Sequence, residues 1–271
     1  MNGLLAVWND CNESVLDKYE HWYMSEHLPD RVGLPGVQQG VRYETTNPSP
    51  QSASPRFFTS YDLDDVSVLE APAYQAALLH PTPDTKFIMA HFKNMCRTIA
   101  RLVDYEGRSA GAWVLTLRLG QLGDTNKPSY ADIDAWRRAL RTHPPAQSCR
   151  WRLYESILAK PASAQSSSVA SPSPEAKFRP GTDAVAHGVV IIEHLRAAVA
   201  LKRRDAHLGH HFQDALVERL DVVLHGLGVI DVRQDALADE VVEGLEGDPR
   251  VDRAGAVADE QAHVVHFARV P

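Results

Sequence analysis

The sequence predicts an α+β fold: a ferredoxin-like βαββαβ unit over the first hundred or so residues, repeated in tandem in degenerate form, and followed by a poorly specified C-terminal region. Three observations predict it. A short apolar run of strand formers leads into an amphipathic helix, two strand-like segments flank a Pro/Ser-rich loop, and a strand-helix-strand alternation starts again after residue 110.

Residues 3–9 (GLLAVWN) are apolar and rich in strand formers, so they read as the first strand. Asn12 or Ser14 can cap the next helix, and Ser14 to Asp17 fits a capping box. Val15, Leu16, Tyr19, Trp22 and Tyr23 recur at helical spacing, and the bias against helical backbone before Pro29 predicts a stop, giving a helix over about 13–27. Gly33, Pro35 and Gly36 make a turn. Residues 37–46 and 56–63 then pair as a hairpin around the loop NPSPQSASP. Pro72 suits the first turn of a second helix through Leu79, residues 84–95 read as a further helix, and residues 98–105 close the unit as a strand.

The alternation recurs as a strand at 111–119, a helix at 130–141 and a strand at 149–156. Val41-Arg42-Tyr43-Glu44 is echoed by Arg152-Leu153-Tyr154-Glu155, and Glu20-His21-Trp22 by Asp134-Ala135-Trp136. The expected organisation is a first unit at 1–108, the start of a second at 109–160, and an Ala/Ser/Pro-rich solvated linker at 161–177. From 178 the alphabet changes: those 94 residues (178 to 271) hold no Ser, Asn, Tyr, Trp, Cys or Met, yet 8 of the chain's 13 histidines. Two readings stand side by side. The tail completes the second unit, with strands at 189–193 and 263–270 and a helix at 214–227, or it is a poorly ordered stretch read from a shifted frame of GC-rich DNA.

Single cores serve about 100–200 residues, so a chain of 271 suggests two units. A net charge of −7, with 44% hydrophobic and 23% charged residues, gives no basic excess for a phosphate backbone, which argues against a nucleic-acid partner. Met1 to Trp8 lack a basic flank, and Asn9 and Asp10 interrupt the apolar run. Neither a signal peptide nor a membrane span is expected, and a cytoplasmic location is. Cys11, Cys96 and Cys149 are distant and odd in number, which suits reduced thiols.

The candidate chemistry sits where the first helix ends. With Tyr19 at the centre of the buried stripe and about 100° per residue, Glu26 falls on the sheet-facing side and His27 about 80° away, at the stripe's edge. A carboxylate there is costly to bury unless paired, and partial burial raises its pKa toward the range useful for proton transfer. The competing structural reading has the helix fray before Pro29, with Glu26 solvated and His27 compensating the helix dipole. Arg31 and Arg42 could neutralise Glu26 or bind a substrate anion. No glycine-rich phosphate loop, nucleophile elbow or Cys-x-x-Cys occurs, and neither a cofactor nor a metal is expected. His207, His210 and His211 have a ligand-like spacing among unpatterned carboxylates, and His91 sits among Phe87, Met89, Phe92 and Met95 as a packed histidine would.

The run Glu20-His21-Trp22-Tyr23-Met24-Ser25-Glu26-His27-Leu28-Pro29-Asp30-Arg31, with Gly33-Leu34-Pro35-Gly36 and Arg42-Tyr43 after it, resembles the EthD-like members of the dimeric α/β-barrel superfamily. Ala71-Pro72-Ala73-Tyr74 and His80-Pro81-Thr82-Pro83 fit the same pattern. The resemblance covers about residues 3–105, thins over 110–158 and is not visible beyond 178. It implies two four-stranded sheets closing into a barrel, either an intramolecular pseudo-dimer or a homodimer, with a ligand cavity between sheet and helices. Relatives in that superfamily include isomerases, cyclases, cofactor-free monooxygenases, haem enzymes and stress-response domains, so the analogy does not choose a reaction.

By that resemblance His27 is the leading candidate. The expected function is cofactor-independent acid/base chemistry of isomerase, cyclase/lyase or monooxygenase type on a small apolar or aromatic compound. His27 and Glu26 would be catalytic, with Arg31, Trp22, Tyr23, Arg42 and Tyr43 binding the substrate. Ala139-Leu140 stands near where the second unit would need its own Glu-His, so one site per chain is expected. The alternative is a non-catalytic ligand-binding or oligomerisation domain in which Glu26 and Arg31 tie the first helix to the sheet.

Overall fold

The computed structural model describes residues 2–45, 55–122, 131–145, 148–159 and 174–195, and the backbone of 263–269. β1 (Gly3–Cys11) is buried on both faces, which is why it reads as an unbroken apolar run and not as an alternating one. Leu4, Ala6 and Trp8 point one way into a common core while Leu5 and Val7 point the other.

The segment after β1 is helical for longer than the sequence predicts. A 3-10 turn (Glu13–Val15) leads into α1 (Leu16–Trp22), a single π-turn (Tyr23–His27) and then α2 (Leu28–Val32). The expected stop at Pro29 does not occur. Proline normally breaks a helix because its ring meets the carbonyl four residues back. In this helix the Leu28 N–H reaches five residues back to the Tyr23 carbonyl, and that widened turn makes room for the ring. Leu28 itself stays helical at φ −66° and ψ −49°.

β2 (Val37–Thr45) and β3 (Phe57–Leu63) form the expected antiparallel hairpin, with Val41 opposite Ser60. Gly40 allows α2 to lie close on β2, because a Cβ there would come within 2.7 Å of Val32 and 2.8 Å of Leu28. α3 (Pro72–Leu79) and α4 (Pro83–Met89) each begin with a proline, and the Thr82 hydroxyl caps α4 by accepting the Thr85 N–H. β4 (Phe92–Gly107) begins earlier than predicted. Phe92 to Met95 mimic helical spacing, yet Phe92 pairs with Cys11 and Lys93 with Asp10. Backbone pairing to a distant strand has overridden a local pattern.

The second half supplies β5 (Trp113–Leu119), α5 (Ile133–Thr142), β6 (Arg150–Ser156), β7 (Gly188–His194) and β8 (His263–Arg269). All eight strands join in one closed antiparallel barrel, in the order β1-β3-β2-β8-β5-β7-β6-β4. The first four lie as β4-β1-β3-β2 and the last four as β8-β5-β7-β6, the same internal order, and the seams are β2–β8 and β4–β6. Residues 188–194 and 263–269 of the compositionally odd tail are thus backbone partners in the barrel. The expected helix at 214–227 and the histidines at 207, 210 and 211 lie outside the described residues.

The barrel interior is packed with side chains from both halves, including Trp8, Tyr43, Phe58, Tyr154 and Ile191, and it holds a buried ionic network. The Arg152 guanidinium donates to Asp62 at 2.7 Å and to Glu193 at 3.0 Å. Helices pack outside, α1 to α4 on the first sheet and α5 on the second. All three cysteines are free. Among the described residues, no helix is long and apolar enough to cross a membrane.

Candidate active site

Between the first sheet and its helices lies a cavity of about 50 Å³, room for a few water molecules. Leu5, Val7, Val37 and Leu63 floor it from the strands, Leu69, Tyr74, Leu78 and Met89 wall it from the helical side, and its polar groups are Tyr23, His27, Arg31, Tyr61, Arg97, Glu175 and Arg179.

His27 reaches the cavity because of the π-turn. The extra residue in that turn rotates the helix beyond it by up to about 100°, the angle of one helical residue. His27, expected at the stripe's edge, is thereby carried onto the cavity wall. Its ring stacks on Trp22 (centroids 4.4 Å apart, 29° between planes) and meets Tyr23 edge-on at 5.2 Å. Among the described residues none hydrogen-bonds that ring. Burial, then the positive fields of Arg31 and Arg179, hold its pKa well below the ordinary value of 6.5. His27 is consequently a neutral imidazole at physiological pH, able to accept a proton and disposed to give it back.

The same rotation turns Glu26 away from the sheet, contrary to the sequence-based expectation. Its Oε1 accepts from Thr82 Oγ1 at 2.6 Å, Thr85 Oγ1 at 2.9 Å and Trp22 Nε1 at 3.1 Å. Glu26 therefore latches the helix to the start of α4 and does not line the cavity. Trp22 also stays off the cavity wall; it is buried and serves as the plate on which His27 stacks.

Of the remaining expected residues, Tyr23 and Arg31 line the cavity. The Tyr23 hydroxyl donates to Thr59 at 3.0 Å, and burial pushes its pKa up. Arg31 donates to Glu175 Oε1 at 2.5 Å, both side chains being buried. Arg42 points at the helices but away from the cavity: it grips Glu20, and not Glu26, through two bonds of 2.6 Å, and its guanidinium lies 4.4–4.9 Å from the rings of Phe57, Tyr23 and Tyr19. Tyr43, one residue on, falls on the opposite face of β2, inside the barrel against Phe58. A strand's alternation makes it impossible for neighbouring residues 42 and 43 to serve one site on the same face.

Four cavity residues carry no local signal in the sequence. Tyr61 is 4% exposed, and its hydroxyl has no hydrogen-bond partner among the described residues. Burial drives its pKa well above 10.0, and the nearby Tyr23 hydroxyl pushes the same way. Arg97 projects from β4, on the helix-facing side between Met95 and Ile99. Glu175 and Arg179 come from a 3-10 turn at Pro174–Phe178 and the residue after it, at the end of the segment expected to be a solvated linker. Burial raises the Glu175 pKa, against the lowering fields of Arg31, Arg179 and Arg97. Arg179 is itself paired with Asp183. His91, the other histidine weighed from sequence, bonds the Phe87 carbonyl at 2.8 Å at the end of α4.

Among the described residues no cluster of His, Cys, Asp and Glu could hold a metal ion. Fold and site together define a closed α/β barrel with a cation-lined cavity on the helical side of its first sheet. No family profile and no curated protein matches the sequence. Solved structures similar to it include an anthrone oxidase-like protein, 9% identical over 100% of this chain and 91% of that one, with a TM-score of 0.49. A point mutant of chlorite dismutase from Candidatus Nitrospira defluvii is 8% identical over 81% of this chain and 82% of that one, with a TM-score of 0.42. At such values the likeness carries no function across.

Proposed function

We propose that the chain is an EthD-like enzyme that moves a proton on a small molecule held in this cavity, with His27 as the base and no cofactor required. The observation that carries the reading is the His27 imidazole: neutral, stacked on Trp22 and facing the same cavity as the Tyr61 hydroxyl, which has no hydrogen-bond partner among the described residues. His27 takes a proton from a carbon of the substrate that stands next to a carbonyl group. The electron pair left behind moves onto an adjacent carbonyl oxygen, and Tyr61 donates a hydrogen bond to that oxygen. Because burial and two arginines disfavour the imidazolium, the proton is passed on: to another carbon of the same molecule, which is isomerase chemistry, or to a group expelled from the carbon beside the carbanion as the electron pair forms a double bond, which is lyase chemistry. Cofactor-free oxygenation would begin from the same deprotonated species.

Twofold similarity within the chain supports a single site. The two strand quartets share one internal order, so we read the second half as a degenerate copy of the first, and Leu140, near where its Glu-His would fall, is packed in the core of that half.

Incubating the protein with small carbon acids in D2O and following exchange by NMR tests the reading without knowledge of the product. His27→Gln is expected to lower the exchange rate by roughly 10²–10⁴-fold. A folded His27→Gln protein that exchanges at the parent rate overturns it. One observation favours the alternative of a non-catalytic ligand-binding domain: Glu26, the expected partner of His27, is committed to α4. Ligand binding with no exchange at any pH is the result that would establish that alternative.

A further inference from the structure

We infer that the cavity selects a small monocarboxylate, whose carboxylate pairs with Arg97. The inference rests on the cavity being the ligand site, as proposed above, and adds the class of ligand.

Three guanidinium groups line the cavity, those of Arg31, Arg97 and Arg179. Arg31 is matched by Glu175 and Arg179 by Asp183. Among the described residues Arg97 makes no ion pair and no side-chain hydrogen bond, while His27 is neutral. One positive charge is left over, in a space whose other walls are chiefly aliphatic. Arg97 is half-buried, so water still meets part of its charge, but its cavity-facing side has apolar neighbours, and a single surplus charge there is best matched by a singly charged anion.

A second observation, independent of charge, also points to a ligand. Tyr61 is buried, lines the same cavity and has a hydroxyl with nothing to bond among the described residues. Buried donors are nearly always satisfied, so an unsatisfied one on a cavity wall marks a position for an acceptor, which a water or an oxygen of a bound molecule fills. The strand register sets the spacing: Thr59 and Arg97 both pair with Val7 on either side of β1, and Tyr61 lies two residues beyond Thr59. With strands about 4.8 Å apart and about 3.4 Å per residue, the Cα atoms of Tyr61 and Arg97 stand roughly 12 Å apart, their side chains converging on one space. A carboxylate at the Arg97 end and a carbonyl oxygen at the Tyr61 end span that gap in a molecule of a few carbons. The chain's own Glu175, seated on Arg31, shows that a carboxylate fits among these cations.

The full-length protein titrated calorimetrically with acetate, butyrate and benzoate, each against its uncharged amide, tests this. The acids are expected to bind at least tenfold more tightly than the amides. Arg97→Gln should remove that preference while leaving amide affinity unchanged, and Arg97→Lys should restore part of it. Arg97→Gln strands no partner, so it is expected to fold as the parent does. Glu175→Gln, which removes the carboxylate competing for the same cations, should tighten acid binding at least threefold. Equal affinity for acids and amides, or acid binding indifferent to Arg97→Gln, overturns the inference. The two readings fail separately. Acid binding that passes every arm, alongside proton exchange unaffected by His27→Gln, sinks the acid/base proposal alone. His27-dependent exchange on neutral compounds, with no acid bound, sinks this one alone.

Discussion

Glu26 separates a structural latch from a catalytic carboxylate, and its worth can be worked out from its bonds. One oxygen, Oε1, accepts from Thr82, Thr85 and Trp22. In Glu26→Ala two of those donors keep a second partner, because Trp22 Nε1 also reaches Thr85 Oγ1 at 3.0 Å, and Thr82 Oγ1 reaches the same atom at 3.1 Å. The variant loses the charge assistance to all three bonds and the acceptor of the buried Thr85 hydroxyl proton. A stranded buried donor costs about 1–3 kcal/mol and each weakened bond a fraction of that, so Glu26→Ala should destabilise by about 2–4 kcal/mol. Glu26→Gln keeps an oxygen acceptor but loses the charge, which roughly halves such bonds, and should cost about 1 kcal/mol. At roughly 2–4 °C per kcal/mol for a chain of this size, the alanine variant should melt about 4–16 °C lower and the glutamine variant about 2–4 °C lower. Urea unfolding followed by tryptophan fluorescence reads both. Proton exchange should fall only as far as the Trp22–His27 stack loosens. Should Glu26→Ala hold stability within about 0.5 kcal/mol of the parent while exchange collapses, Glu26 acts on substrate and the latch assignment is wrong.

Ionisable groups with little access to water set two further outcomes. His27 has a folded-state pKa below its unfolded value of 6.5, so as pH falls through 6.5 the unfolded chain gains a proton that the folded chain refuses, and stability is lost on the acid side. His27→Gln should flatten the stability–pH curve below pH 6.5, by up to about 1.4 kcal/mol per pH unit, and leave it unchanged above about pH 7.5; His187, depressed likewise, contributes its own share in both proteins. A variant curve parallel to the parent's refutes the depressed pKa. In the barrel interior, Arg152→Met strands Asp62, while Glu193 keeps Arg150 and the Gly111 N–H. A loss of about 3–5 kcal/mol is expected, much of it recovered by adding Asp62→Leu, and a double-mutant cycle with no coupling between the two would show that the pair does not join the two halves energetically.

Much of this architecture was legible from local pattern. The apolar run at 3–9, the hairpin around the Pro/Ser-rich loop and the proline opening α3 depend on nearest neighbours, and the structure keeps each of them. His27 on a cavity wall between sheet and helices was legible too. Its reason was not: the sequence places His27 near the edge of a regular helix, whereas a π-turn under Pro29 rotates it inward and rotates Glu26 outward. Whether a proline ends a helix or is absorbed by a widened turn depends on the packing against the far side of the turn, and here that is α4.

The sequence by itself determined the identity and order of most strands and helices of this protein and one ionisable helix end, because these depend on periodicity and on the geometry of Pro and Gly. Tertiary structure decided the rest. Alternation along β2 sends Arg42 to the helices and Tyr43 into the barrel, so a pair adjacent in sequence serves two different cores. The cavity's own charge balance joins Arg31 to Glu175 across 144 residues and sets Arg97 and Tyr61 beside them from two strands separated by a third. Contacts over such separations leave no trace in local composition, since they are fixed by strand pairing and barrel closure and not by any neighbour along the chain.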